Sequence, residues 1–211
     1  MKPTHIVAWL SVFISLSAYS QTNSWTEFMG GKRATYTTAG NPKAKGVEVS
    51  FDYPIGWAGA DGKRPNTLYQ VTSDSGKGLE LCNLVIKDIP LPVGYTLTAQ
   101  DVAEFFEPSG LKDFAPNGSQ FIAGARTTID GQPAGWVQFA HEMDRAGSQL
   151  RMMWLTFPIY FDKRLLIFSC SVGDSASKSP EEIHRRYKAF SPLFQQMANS
   201  LVIHSKWKRR P

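Results

Sequence analysis

Between Gly118 and Asp174 the chain runs through four extended apolar segments, broken at regular intervals by Asp130-Gly131, Arg145-Ala146-Gly147-Ser148 and Asp162-Lys163. Asp-Gly between such segments favours a two-residue hairpin, because both central residues must reach positive φ and Gly does so without steric cost. An antiparallel meander of four strands follows. In its second strand Trp136, Gln138, Ala140 and Glu142 share one face, and Val137, Phe139, His141 and Met143 share the other. The third strand is apolar on both faces, with Met152 and Trp154 set against Met153, Leu155 and Phe157. A sheet centre of this kind has to be covered on both sides, and helices must supply the cover.

The other elements can be placed around this meander. Residues 47–53 alternate apolar and polar as a half-buried strand, ended by Pro54. Pro54-Ile55-Gly56-Trp57 reads as a turn, followed by an exposed loop to Pro65. Residues 67–72 and 79–88 are strands joined by a Ser- and Gly-rich hairpin loop. Thr98 can cap a short helix bearing Val102, Phe105 and Phe106, with Asp101 in its first turn and with Pro108 and Gly110 closing it. The clearest helix starts at Ser179, with Pro180 at its first position and Glu182 completing a capping box. Ile183, Tyr187, Phe190, Phe194, Met197 and Leu201 form its apolar stripe. Arg185, Arg186, Lys188 and Gln195 are expected in solvent, and Pro192 is expected to kink or break the helix near Ser191.

The two ends of the chain have their own composition. Lys2, the uncharged run from Ile6 to Leu16, and Ala18 and Ser20 flanking Tyr19 have the layout of a secretory signal peptide, so residues 1–20 are expected to be removed after Ser20. The apolar run is shorter than the roughly 20 residues that span a bilayer. Periplasmic or secreted localisation is the consequence. Residues 21–45 are expected to be a poorly ordered lead, with at most a short edge strand around Ala34 to Thr38; residues 46–203 form a single domain, and residues 204–211 a basic tail. Lys206, Lys208, Arg209 and Arg210 with Lys2 account for the excess in a net charge of +5; the remaining 18 basic residues meet 18 acidic ones. The body is formally neutral, so no nucleic-acid partner is expected. The tail either makes a weak contact with an anionic surface or serves as a solubilising end.

Cys82 and Cys170 both lie in expected strands. They are either two inert core thiols or a disulfide closing a loop of 88 residues. Tyr53 and Trp57 flank a turn and, if exposed, would anchor a partner; Trp136 and Trp154, which could share a sheet face, are better placed as core.

Phe51-Asp52-Tyr53-Pro54 followed by Trp57, the Asp130-Gly131 hairpin followed by Pro133-Ala134 and Trp136, and a last helix ending Ala198-Asn199-Ser200-Leu201 resemble the PsbP/Mog1-like superfamily in its exported bacterial members. The resemblance implies an α+β fold in which an antiparallel β-sheet is flanked by helices as an α/β/α sandwich. It also implies a non-enzymatic binding or assembly module, with another protein of the cell envelope as partner.

The residues give no opposing signal. There is no Gly-x-Ser-x-Gly elbow, no Gly-rich phosphate loop and no Cys or His pair at metal-ligand spacing, so no cofactor is expected. His141 is followed by Glu142 and Asp144, but strand alternation turns both to the opposite face. Two other readings stand beside the binding module: an envelope hydrolase using dispersed carboxylates, marked by a polar cleft with two facing acids, and a secreted effector-neutralising or stress protein.

Overall fold

The computed structural model describes residues 24–74, 79–145 and 147–208. A helix whose described part is residues 24–29 (α1) leads into β1 (Arg33–Thr37), β2 (Val49–Pro54), β3 (Ala58–Asp61), β4 (Thr67–Thr72) and β5 (Glu80–Asp88). Two short helices follow, α2 (Ala99–Phe105) and α3 (Pro108–Lys112). The meander is β6 (Gln120–Ile129), β7 (Gln132–Arg145), β8 (Ser148–Phe161) and β9 (Arg164–Ser175), and the chain closes with α4 (Pro180–Asn199) and β10 (Val202–Ile203).

Seven strands form one antiparallel sheet in the order β3-β4-β5-β9-β8-β7-β6, and β1-β2-β10 form a smaller one. After β5 the chain crosses one face through α2 and α3 to the far edge, then returns strand by strand until β9 pairs with β5. Tight turns make that return possible. Asp130 and Gly131 have φ of 48° and 70°, and Asp162 and Lys163 have φ of 48° and 61°, the left-handed pairs that two-residue hairpins require.

The two faces are covered as the composition of β8 demands. On one side α4 packs on β8, β9 and β2, burying Ile183, Tyr187, Phe190, Phe194 and Met197 against Leu155, Phe157 and Phe168; Leu201, expected in the same stripe, is buried just past the end of the helix. A fully buried Phe or Leu contributes about 1.5–3 kcal/mol. The small sheet extends this layer, with Phe51 meeting Phe168 edge to face at 5.0 Å. On the other side Val102, Phe106 and Leu111 pack on Val137 and Phe139. Gly135 permits that approach, since a Cβ there would lie 2.4 Å from Leu111 Cδ2. Trp154 stacks on Phe139 on this side at 6.0 Å, whereas Trp136 packs against the α4-side core, so the two tryptophans do not share a face.

Several expectations are corrected. The short edge strand expected around Ala34 to Thr38 is β1, but the rest of residues 24–45 is not a loose lead: α1 is formed, and Phe28 and Ala44 are 2% exposed. β3 occupies part of the expected loop before Pro65. Pro108 opens α3 at its first turn, where its missing N–H is of no consequence, rather than closing α2. Ser179 accepts from the Glu182 backbone N–H, but the Glu182 carboxylate pairs with Lys178 at 3.5 Å, so the expected capping box is only half formed. α4 runs through Pro192, whose ring removes the N–H that would serve the Lys188 carbonyl; the Ser191 hydroxyl donates to that carbonyl instead, at 3.3 Å. Arg186 is not in solvent. Its guanidinium pairs with the carboxylate of Glu80, a residue 2% exposed, and with Asp174 at 3.4 Å, and the Ser73 hydroxyl also donates to Glu80. This knot fixes the start of α4 to β5 and β9.

Cys82 and Cys170 are directly opposed on β5 and β9 and are bridged. Residues 1–20, the expected signal peptide, lie outside the described residues, and no described helix is long and apolar enough to cross a membrane.

Replacing Arg186 by Ala strands the buried Glu80 carboxylate, and urea unfolding should show a loss of about 3–5 kcal/mol, with a smaller loss for Glu80→Gln combined with Arg186→Met. The bridge predicts no titratable thiol in denatured, unreduced protein. On the chain-entropy model, Cys82→Ala with Cys170→Ala should cost about 4–5 kcal/mol in the same unfolding assay.

Candidate functional site

α4 lies over the middle of the large sheet and does not reach its β6 edge. The gap is an open groove of about 870 Å³ between the first turns of α4 and the strands β6, β7 and β8. Its floor is apolar: Ala140 on β7, Met153 on β8, and Ile183 at the foot of α4. Ile122 joins them through a β-bulge. The register of β6 on β7 passes from Phe121 opposite Phe139 to Ala123 opposite Gln138, so Ile122 has no partner on β7, and its side chain lines the groove while remaining 41% exposed. Bulges commonly re-aim a side chain in this way.

The walls are polar and mainly cationic. Arg151 donates to Glu142 at 2.7 Å and to the Lys178 carbonyl at 2.8 Å, tying the strands to the residue just before the α4 cap. Glu142 is thereby neutralised. Arg185 and Lys188, both exposed, line the α4 wall and make no ion pair among the described residues, and His184 stands beside them; Glu181 is the acidic group on the same wall. Sequence reading placed Arg185 and Lys188 correctly on the solvent side of α4. It did not find the groove, whose floor brings together residues from 122 to 183.

His141 is the residue nearest to catalytic chemistry here. Its Nδ1 lies 3.1 Å from Ser119 Oγ, a Ser–His pair at the groove margin. An activated serine also needs its histidine oriented by a third group, and no carboxylate is hydrogen-bonded to His141 among the described residues. Two carboxylates do share another hollow of about 450 Å³, lined by Asp88 and Asp162. Both pair with Arg164, at 3.3 and 3.4 Å, and the Lys45 ammonium holds the Asp88 carboxyl below its ordinary value. Asp88 is thus held ionised, as a general acid is not.

The residues expected to contact a partner are elsewhere. Tyr53 is 8% and Trp57 4% exposed, both within the main core, and the Trp57 indole N–H donates to Ser24 Oγ at 3.0 Å. The turn after Tyr53 folds inward because α1 and β1 cover it. The basic tail is also partly engaged. Lys206 donates to the Asp130 carbonyl at 2.7 Å and Lys208 pairs with Glu48. Trp207 is 70% exposed, with Lys206 over its ring at 4.7 Å. Arg209 and Arg210 lie outside the described residues.

No family model matches the chain, and no curated protein matches it. Among solved structures it is similar to cyanobacterial PsbP (CyanoP) from Synechocystis sp. PCC 6803, with 19% identity over 82% of this chain and 92% of that one and a TM-score of 0.49. It is also similar to the Ran-binding protein Mog1p of Saccharomyces cerevisiae, with 9% identity over 81% and 95% and a TM-score of 0.48. A third likeness is to LpqN of Mycobacterium tuberculosis, involved in cell envelope biogenesis, with 12% identity over 95% and 98% and a TM-score of 0.43.

The Lys208 ammonium holds the Glu48 carboxyl below its ordinary value of 4.5, with His204 adding to the effect. A lowered folded-state value means that the contact stabilises the docked tail above the ordinary carboxyl range and is lost as pH falls through the lowered value. Lys208→Gln should therefore move the Glu48 midpoint upward in a carboxyl-carbon NMR titration, and Trp207 fluorescence should change along the same curve.

Proposed function

We propose that this chain is an exported, non-enzymatic binding module, and that it holds a segment of a partner protein in the groove between α4 and β6. One observation carries the reading: an apolar floor, made by Ile122, Ala140 and Met153, lies beside two cations, Arg185 and Lys188, that have no partner within the described fold. Other cations of this protein, among them Arg186, Arg164 and Lys45, are spent in internal ion pairs. A groove that combines apolar contact with unspent positive charge is complementary to a segment bearing apolar side chains and carboxylates. Export is supported by the layout of residues 1–20 and by the Cys82–Cys170 bridge, which belongs to an oxidising compartment. The partner is then a protein of the envelope or of the medium outside it.

Selection from a random peptide library on the purified, oxidised protein tests this. Enriched peptides should carry Asp or Glu among Leu, Ile or Phe, and Arg185→Glu with Lys188→Glu should weaken them by about tenfold or more. Raised salt should imitate that double variant in part. Peptides that bind parent and charge-reversed protein equally would sink the assignment of this groove.

A further inference from the structure

The groove also selects the conformation of its occupant. Resting on the reading just given, we propose that the bound segment is an amphipathic α-helix lying beside α4 on the exposed face of β6 and β7. Its apolar stripe would meet Ile122, Ala140 and Met153, and its carboxylates would meet Arg185 and Lys188.

The face of a sheet offers side chains and no backbone partners, because the N–H and C=O groups of β6 and β7 lie in the plane of the sheet. An extended segment laid on that face would press its own unpaired backbone against Ile122, Ala140 and Met153. Burying those groups without hydrogen bonds is costly for every residue in contact. A helix satisfies its backbone internally and presents side chains alone. The dimensions agree as well. Two neighbouring strands span roughly 10 Å, close to the width of a helix, and α4 already occupies the adjacent strip over β8 and β9. A second helix continues the same layer over the half-buried face of β7, where Trp136, Gln138 and Ala140 stand.

Charge then sets the spacing. Arg185 and Lys188 are three residues apart on α4 and therefore neighbours on its surface. Carboxylates that meet both from a neighbouring helix are themselves three or four residues apart. The occupant thus carries an acidic pair at that spacing on one flank of an apolar stripe of helical period.

The test uses library peptides whose binding is lost with Arg185→Glu and Lys188→Glu and also with Ile122→Glu, an exposed position where folding can be verified by circular dichroism. Such groove-dependent peptides should show apolar positions at spacings of three and four. They should gain helical circular dichroism on binding, and a single central Pro should weaken them at least tenfold. Groove-dependent peptides with period-two apolar positions that tolerate the Pro would overturn the helix and leave the groove assignment standing, directing attention to the free edge of β6. A library yielding no groove-dependent peptide would overturn both. Self-association of the chain that Ile122→Glu abolishes would assign the groove to a second copy and overturn the partner-helix proposal.

Discussion

Apolar burial on both faces of β8 and β9 is the constraint from which the rest of the architecture follows. Leu155, Phe157 and Phe168 look toward α4, while Trp154 and Tyr160 look the other way, so neither face of the sheet centre can be left to water. The chain answers with two unequal layers. Two short helices suffice on the side of Trp154, where Leu111 reaches the strand backbone over Gly135. On the other side one long helix and the small sheet cover β5, β9 and β8, and the cover ends before β6. The groove is the uncovered remainder of a sheet wider than the helix laid on it.

α4 therefore has two roles set by its own periodicity. Its stripe from Ile183 to Met197 supplies the core, and the residues between stripe positions divide according to angle around the helix. Arg186 turns toward β5 and β9 and is consumed by Glu80 and Asp174; Arg185, one position earlier and about 100° away, faces the groove and stays unpaired. A buried pair of the first kind is a poor source of net stability, yet it fixes where the helix begins. The geometry of the groove wall depends on that position, as does the link from Arg151 to the Lys178 carbonyl.

Much of the scaffold was readable from residues in order. The Asp130-Gly131 and Asp162-Lys163 turns, the two-faced pattern of β7 and β8, the Thr98 cap and the stripe of α4 are local signals, and local sterics and periodicity decide them. The readings that failed depended on neighbours distant in sequence. Tyr53 and Trp57 resemble turn aromatics until α1 and β1 fold over them, and residues 24–45 look too polar to order until β2 offers an edge to pair with. Of the kink or break read at Pro192, the break does not occur, because Ser191 replaces the missing donor to the Lys188 carbonyl.

The sequence by itself thus determined the antiparallel meander, the helix that covers it and with them the α+β class, because each is written in a period of two or of three to four residues. Tertiary structure alone decided that Cys82 stands opposite Cys170, that Arg186 is spent while Arg185 is free, and that Ile122, Ala140, Met153 and Ile183 share one floor. These outcomes depend on strand order and on where a single helix stops across a seven-stranded sheet. No local pattern contains that information, since the residues concerned are separated by tens of positions and meet only when the sheet closes.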